Sequence, residues 1–217
     1  VLVVATGVRA RTPQIDGIDH PKVVGYADLL SGRKQAGKRV AIIGAGGIGF
    51  DVAEYLLHHE TANGPASAGD PVARFHAEWG VDTSADAPGG LKPGQSAPRR
   101  HEVTLLQRKP EKPGRTLGLS TGWALRAQLE RRGLQTLSGC SYERIDDAGL
   151  RLRVNGESQV LEVDTIVICA GQDSENTLAA ELRGVGIEPE LIGGAERAGE
   201  LDALAGAGTV RPAVPRI

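Results

Sequence analysis

Short apolar runs separated by turn-rich polar segments mark out most of the chain. Val1-Leu2-Val3-Val4-Ala5-Thr6-Gly7 reads as a buried strand closing in a small-residue turn. From Val8 to Asp28 the pattern is loop-like, with Arg11-Thr12-Pro13, Asp16-Gly17 and His20-Pro21 supplying turn chemistry, and Ala27 to Leu30 predicts one helical turn. Ser31 to Lys38 is a polar connector into a second apolar strand, Val40 to Ile43, and an amphipathic helix follows from Phe50 to about His58. Residues 60–101 are rich in Gly, Pro, Ala and Ser and predict an insertion on one edge of the fold, with one short helix over Pro71 to Trp79. Glu102 to Gln107 resumes as a strand. Thr121 to Arg132 predicts a helix with Trp123, Leu125 and Leu129 on its apolar side, Thr121 as N-cap and Gly133 as the C-terminal glycine. Leu134–Leu137 predicts a strand, and the further strands Tyr142–Ile145, Leu150–Val154 and Gln159–Val163, broken by Asp146-Asp147-Ala148-Gly149 and Asn155-Gly156, predict an antiparallel meander. Thr165 to Ala170 is a further buried strand and Leu191-Ile192 a short one. A small-residue helix is expected from about Glu200 to Ala205, and a disordered tail at Arg211-Pro212 to Pro215-Arg216.

Candidate chemistry concentrates where the Val40–Ile43 strand meets the helix. Gly44, Gly46 and Gly49 fit G-x-G-x-x-G, with Gly47 and Ile48 at the start of the helix. The spacing describes a phosphate seat. Gly44 turns the chain, Gly46 keeps side-chain bulk away from a pyrophosphate, and Gly49 lets helix and strand approach. The helix N-terminus adds unpaired amides and partial positive charge. A strand before and a helix after give the triplet its weight, against the alternative of a tight turn without a ligand.

The second strand's end should select the nucleotide. An acidic residue about twenty positions on would take a ribose 2′-hydroxyl. Asp70 lies near that count, but in Gly69-Asp70-Pro71 with no strand ahead of it. The equivalent place, displaced by the insertion, is Gln107-Arg108-Lys109, which has no carboxylate. Two cations there favour a 2′-phosphate, hence NADP(H) over NAD(H); the alternative is a pair of ordinary solvated surface charges.

Composition narrows the rest. At 217 residues the chain has room for one large domain or two small ones, and a net charge of −2 provides no footprint for nucleic acid or an anionic membrane. Its apolar runs are shorter than a membrane span, and no signal peptide is expected ahead of the first strand. Cys140 and Cys169 form no C-x-x-C pattern and read as buried thiols of a reducing compartment, so a cytoplasmic location is expected. His58, His59, His76 and His101 lack ligand spacing, and no metal site is expected. With no methionine and an opening in mid-strand, the chain reads as a piece of something longer.

These motifs carry a resemblance. Ala5-Thr6-Gly7, the Gly44–Ala53 fingerprint and Ala170-Gly171 resemble the flavoprotein reductases in which a pyridine-nucleotide domain is inserted into an FAD domain. The wording is most similar to that of the bacterial NADPH-dependent 2,4-dienoyl-CoA reductases. It runs through Thr12-Pro13-Gln14-Ile15-Asp16-Gly17, Leu106-Gln107-Arg108-Lys109, Thr121-Gly122-Trp123, Val167-Ile168-Cys169-Ala170-Gly171-Gln172 and Leu191-Ile192-Gly193-Gly194. The resemblance implies an α/β fold: a Rossmann-like three-layer nucleotide-binding domain with a β-meander over residues 31–164, inserted into a truncated FAD-binding lobe formed by 1–30 and 165–217. It implies that Thr6, Gly7, Gly171, Gly193 and Gly194 face cofactor, and that Asp51 lies near the nicotinamide where relatives often carry Glu. FMN, a 4Fe-4S cluster and the acyl-CoA site would belong to a barrel outside this chain, whose partners would be a pyridine nucleotide and those other domains. No catalytic residue is expected here, and the piece alone would be inactive. A related flavin/iron–sulfur amine dehydrogenase and a non-catalytic nucleotide-binding module are the alternatives.

Overall fold

Strongly apolar strands of four or five residues form the centre of a parallel sheet and are buried on both faces. In the computed structural model, which describes residues 1–58, 70–95, 99–115, 117–118 and 120–199, the chain forms two compact units. Residues 14–169 make one. Residues 1–13 pack with residues 170–199 to make the other. The nucleotide-domain limits expected at 31 and 164 fall inside the larger unit.

Five parallel strands order the larger unit: β3 (Val23–Gly25), β10 (Thr165–Ile168), β4 (Arg39–Ile43), β5 (Glu102–Leu106) and β6 (Gln135–Leu137). Helices α1 (Tyr26–Leu30), α2 (Gly47–His58) and α4 (Gly122–Arg131) share a core with one face, through Val40, Ile42, Val103, Leu105 and Val167 meeting Leu29, Phe50, Val52, Leu56 and Leu129. The alternate residues Ala41, Ile43, Leu106 and Ile166 are equally buried. Between β6 and β10 runs the antiparallel meander β7 (Cys140–Asp146), β8 (Gly149–Val154) and β9 (Glu157–Leu161), set two residues earlier than the Gln159–Val163 strand expected. This is the Rossmann-like α/β architecture, and the chain's order gives it a switch point. From β4 successive crossovers move outward to β5 and β6, whereas β10 returns on β4's other side, opening a crevice at the carboxyl ends of β4 and β10.

Residues of the insertion form helix α3 (Pro71–Trp79), which matches the expected helix, starts on an Asp70 side chain accepting from the Val72 amide at 3.0 Å, and stops at Gly80 in the left-handed region. Asp70 is thus a helix cap. Glu78 and Arg132 pair at 2.7 and 2.8 Å, and the Arg131 guanidinium lies 4.9 Å from the Trp79 ring centre, tying α3 to the end of α4.

In the smaller unit, β1 (Val3–Val4) pairs in parallel with β12 (Glu190–Leu191), β2 (Val8–Ala10) pairs antiparallel with β11 (Gln172–Ser174), and α5 (Thr177–Gly184) packs Ala179 against Val4 and Ala195. The expected buried strand over Val1–Gly7 is shorter: Val1, Leu2 and Val3 are exposed, because only a two-residue partner strand borders them. Strands β2 and β3 lie where a loop was expected. Trp123 is 64% exposed, its indole N–H donating to the Ser120 carbonyl, so it leaves the apolar side of α4 to Leu125 and Leu129; Thr121 occupies the N-cap position without a side-chain bond. The expected helix near Glu200 and the Arg211–Arg216 tail lie outside the described residues. Among the described residues, no helix is long and apolar enough to cross a membrane.

Candidate functional site

The glycine turn sits at the switch point. Gly44 takes φ = 116°, and its amide donates to Leu106 O at 3.0 Å, so the turn hangs from the neighbouring strand. A Cβ on Gly49 would lie 1.9 Å from the Gly44 carbonyl oxygen and 3.3 Å from Leu105 Cδ1, which is why helix and turn meet only through a glycine. The Phe50 amide makes a helical bond to Gly46 O at 3.2 Å. Ahead of it the leading amides of the first turn have no intrahelical acceptors, and no acidic side chain stands there to repel an anion. Gly44, Gly46, Gly47 and Ile48 are half-buried around this opening.

Asp51 stands exposed one turn further along α2. Burial pushes the Cys169 thiol, just beyond β10, up to about 12, and the Asp51 carboxylate adds to the rise, so the two flank the crevice within electrostatic reach. The Cys169 amide in turn donates to Ile43 O at 2.8 Å. Both cysteines are free and buried.

Beyond β5 the structure brings Gln107, Arg108 and Lys109 to the same carboxyl edge. Arg108 and Lys109 are exposed, and neither makes a salt bridge among the described residues. No carboxylate replaces them at the strand end. Gln107 differs from its neighbours: its side-chain amide donates to Lys109 O at 3.1 Å and Glu111 O at 2.7 Å. A residue that sequence reasoning missed, Arg126 on α4, donates to Gly114 O at 2.7 Å and holds the loop following the cations against the Phe50 ring. Its only sequence signal is the glycine between Pro113 and Arg115.

Within the smaller unit, Thr6, Gly7, Gly193 and Gly194 come together at the carboxyl ends of β1 and β12. A Cβ on Gly194 would fall 3.0–3.2 Å from Gly7 backbone atoms and 2.8 Å from Val8 Cγ1, leaving a cradle that only bare backbone fits. Thr6 donates its hydroxyl to Glu175 O. Gly171 has φ = 100° and accepts from the Arg11 amide at 3.0 Å.

An open cleft elsewhere in the larger unit is lined by Asp16, Gly17, His20, Arg144, Ile145, Asp146 and Asp147. Two of its three acids are engaged, Asp147 with His20 at 3.2 Å and Asp146 with Arg151 at 2.6 Å, and it lies apart from the glycine turn. Among the described residues, no three His, Cys, Asp or Glu side chains gather as metal ligands would.

A parallel α/β sheet with a glycine turn at its switch point defines a dinucleotide-binding fold. The sequence pattern of the pyridine nucleotide-disulphide oxidoreductases matches residues 1–193, and the chain belongs to that family, whose members bind FAD and NAD(P). A metal reductase of Desulforamulus reducens is 28% identical over 183 residues, covering 84% of this chain and 26% of the relative. Among solved structures, 2-naphthoyl-CoA reductase in complex with 2-naphthoyl-CoA aligns with a TM-score of 0.69 at 22% identity, over 96% of this chain and 26% of that one. The 6-hydroxypseudooxynicotine amine oxidase of Pseudomonas geniculata N1 aligns with a TM-score of 0.66 at 19% identity, over 95% and 28%. The chain thus spans about a quarter of the length of these relatives.

Proposed function

We propose that this chain is the NADP(H)-binding domain, with part of the FAD lobe, of a longer cytoplasmic 2,4-dienoyl-CoA reductase acting on unsaturated acyl thioesters. The observation that carries the coenzyme choice is the end of β5: two exposed cations that make no salt bridge among the described residues, and no acid in Gln107-Arg108-Lys109 for a ribose 2′-hydroxyl. In this reading the Gly44–Gly49 turn grips the diphosphate through main-chain amides, Arg108 and Lys109 take the 2′-phosphate, and Asp51 borders the nicotinamide. Thr6, Gly7, Gly171, Gly193 and Gly194 form one wall of the FAD site. NADPH, when bound, supplies a hydride for the flavin; the protein contributes position and charge. FMN and a 4Fe-4S cluster belong, on this proposal, to parts of the parent protein beyond this chain, as does every group that touches acyl substrate. Fold similarity to a reductase of an aryl-CoA thioester supports a thioester substrate, and similarity to an amine oxidase keeps the amine-dehydrogenase reading as the rival.

Calorimetric titration with NADPH and NADH tests the coenzyme choice. Charge-assisted hydrogen bonds contribute about 1.5–3 kcal/mol, so NADPH should bind roughly 10- to 100-fold more tightly. Arg108→Glu should abolish that preference. Equal affinity for both nucleotides in the unaltered chain would overturn the assignment, and no binding of either would point to the vestigial domain expected of an amine dehydrogenase.

A further inference from the structure

The two cations beyond β5 sit on a loop whose backbone is closed from two sides. From within, both side-chain N–H bonds of Gln107 lead back into the loop, to Lys109 O at 3.1 Å and Glu111 O at 2.7 Å. From outside, the connection between β6 and β7 fastens it at three points. The Gln107 amide donates to Leu137 O at 2.8 Å, the Cys140 amide to Gln107 O at 3.0 Å, and the Gly139 amide to Lys109 O at 3.0 Å. Gly139 itself is wedged. It has φ = 69°, a Cβ there would lie 2.6 Å from Asn155 Oδ1, and the Asn155 amide donates to Gly139 O at 3.3 Å. Asn155, with φ = 51°, forms the tight turn between β8 and β9. An unbroken series of contacts therefore runs from the tip of the meander through Gly139 to the carbonyl of Lys109.

Loops that carry charged side chains ordinarily lose conformational freedom when a ligand fixes them, and that loss subtracts from affinity. Here the backbone between Gln107 and Glu111 is held by the protein's own hydrogen bonds, while the Arg108 and Lys109 side chains are exposed. We propose that Gln107 and Gly139 are positioning residues for coenzyme selection: they lock the Arg108–Lys109 turn so that both cations meet a 2′-phosphate, and the β-meander serves as its buttress. The proposal rests on the NADP(H) reading above and assigns Gln107 a role distinct from touching the nucleotide. With both N–H bonds occupied, its side chain has no donor left for the ribose.

The test compares affinities of NADPH and NADH for the unaltered chain, Gln107→Met, Gly139→Ala and Arg108→Gln, with thermal unfolding followed alongside. Loss of preorganisation should weaken NADPH binding by Gln107→Met about three- to tenfold and leave NADH unchanged. Gly139→Ala, remote from the nucleotide, should show the same one-sided loss; if it does not fold, Gln107→Met alone decides. In an Arg108→Gln background the Gln107→Met change should have much less effect, because the charge it positions is gone. A direct contact from Gln107 to the ribose would weaken both nucleotides equally, and an unaltered preference in Gln107→Met would mean the loop needs no lock; either outcome overturns the proposal. An unaltered chain that fails to prefer NADPH would overturn the coenzyme reading beneath it.

Discussion

Gly49 shows how a single missing methyl group positions the whole site. Its hypothetical Cβ lies 1.9 Å from the Gly44 carbonyl oxygen, so Gly49→Ala must push α2 off β4. A destabilisation of about 1–3 kcal/mol is expected, read from urea unfolding, together with loss of nucleotide binding. The cysteines give a second prediction at this scale. Burial raises both thiols, Cys169 to about 12, so neither should react with iodoacetamide at about pH 8 until the chain is unfolded. The glycines were legible in the sequence because what they require is local: a turn, a close approach, a helix start. The bonding of Gln107 was not, since the connection that fastens its loop lies at 137–140, remote in sequence. Trp123 was misread for a simpler reason. It precedes Leu125 by two positions, which on a helix places it on the far side from the Leu125–Leu129 pair.

Among the elements, α3 was the most readable, because Asp70, Pro71 and Gly80 mark both its ends. Its docking was hidden. Arg132 is largely buried where it grips Glu78 and also reaches Leu57 O at 3.4 Å, with the Glu54 charge nearby opposing the effect of burial on its guanidinium. Arg132→Ala should therefore cost about 1–3 kcal/mol, less than a fully buried pair, and the loss should appear as a lower urea midpoint. Strands β2, β3 and β11 escaped notice because three residues are too few to show a period, and their pairing partners are distant. Helix α5 was also missed, although Leu178, Ala179 and Leu182 hint at one apolar stripe.

On the scale of the whole molecule, the α/β class followed from buried strands alternating with helices, whereas the strand order did not. Placing β10 beside β4 depends on a pairing between residues 40–43 and 165–168, which no local pattern announces. An ion pair secures the same junction. Asp164 accepts from the Arg39 amide and guanidinium, both at 2.8 Å, and this holds its carboxyl at about 2, below its ordinary value. A carboxylate depressed in this way stabilises the fold above its unfolded pKa of about 3.9, and that contribution fades as pH falls towards 2. Thermal unfolding midpoints should consequently be nearly flat from about pH 5 to 8 and drop between about pH 4 and 2. Asp164→Asn should lower the plateau and reduce the size of the drop.

Strand β10 also has a consequence for synthesis. It sits between β3 and β4, so the sheet has a gap until residues 165–168 leave the ribosome, although its flanking strands are made more than a hundred residues earlier. Nascent chains halted before Thr165 should expose the bare edge of β4 and bind chaperones or aggregate, and those extended past Cys169 should gain protease resistance in one step.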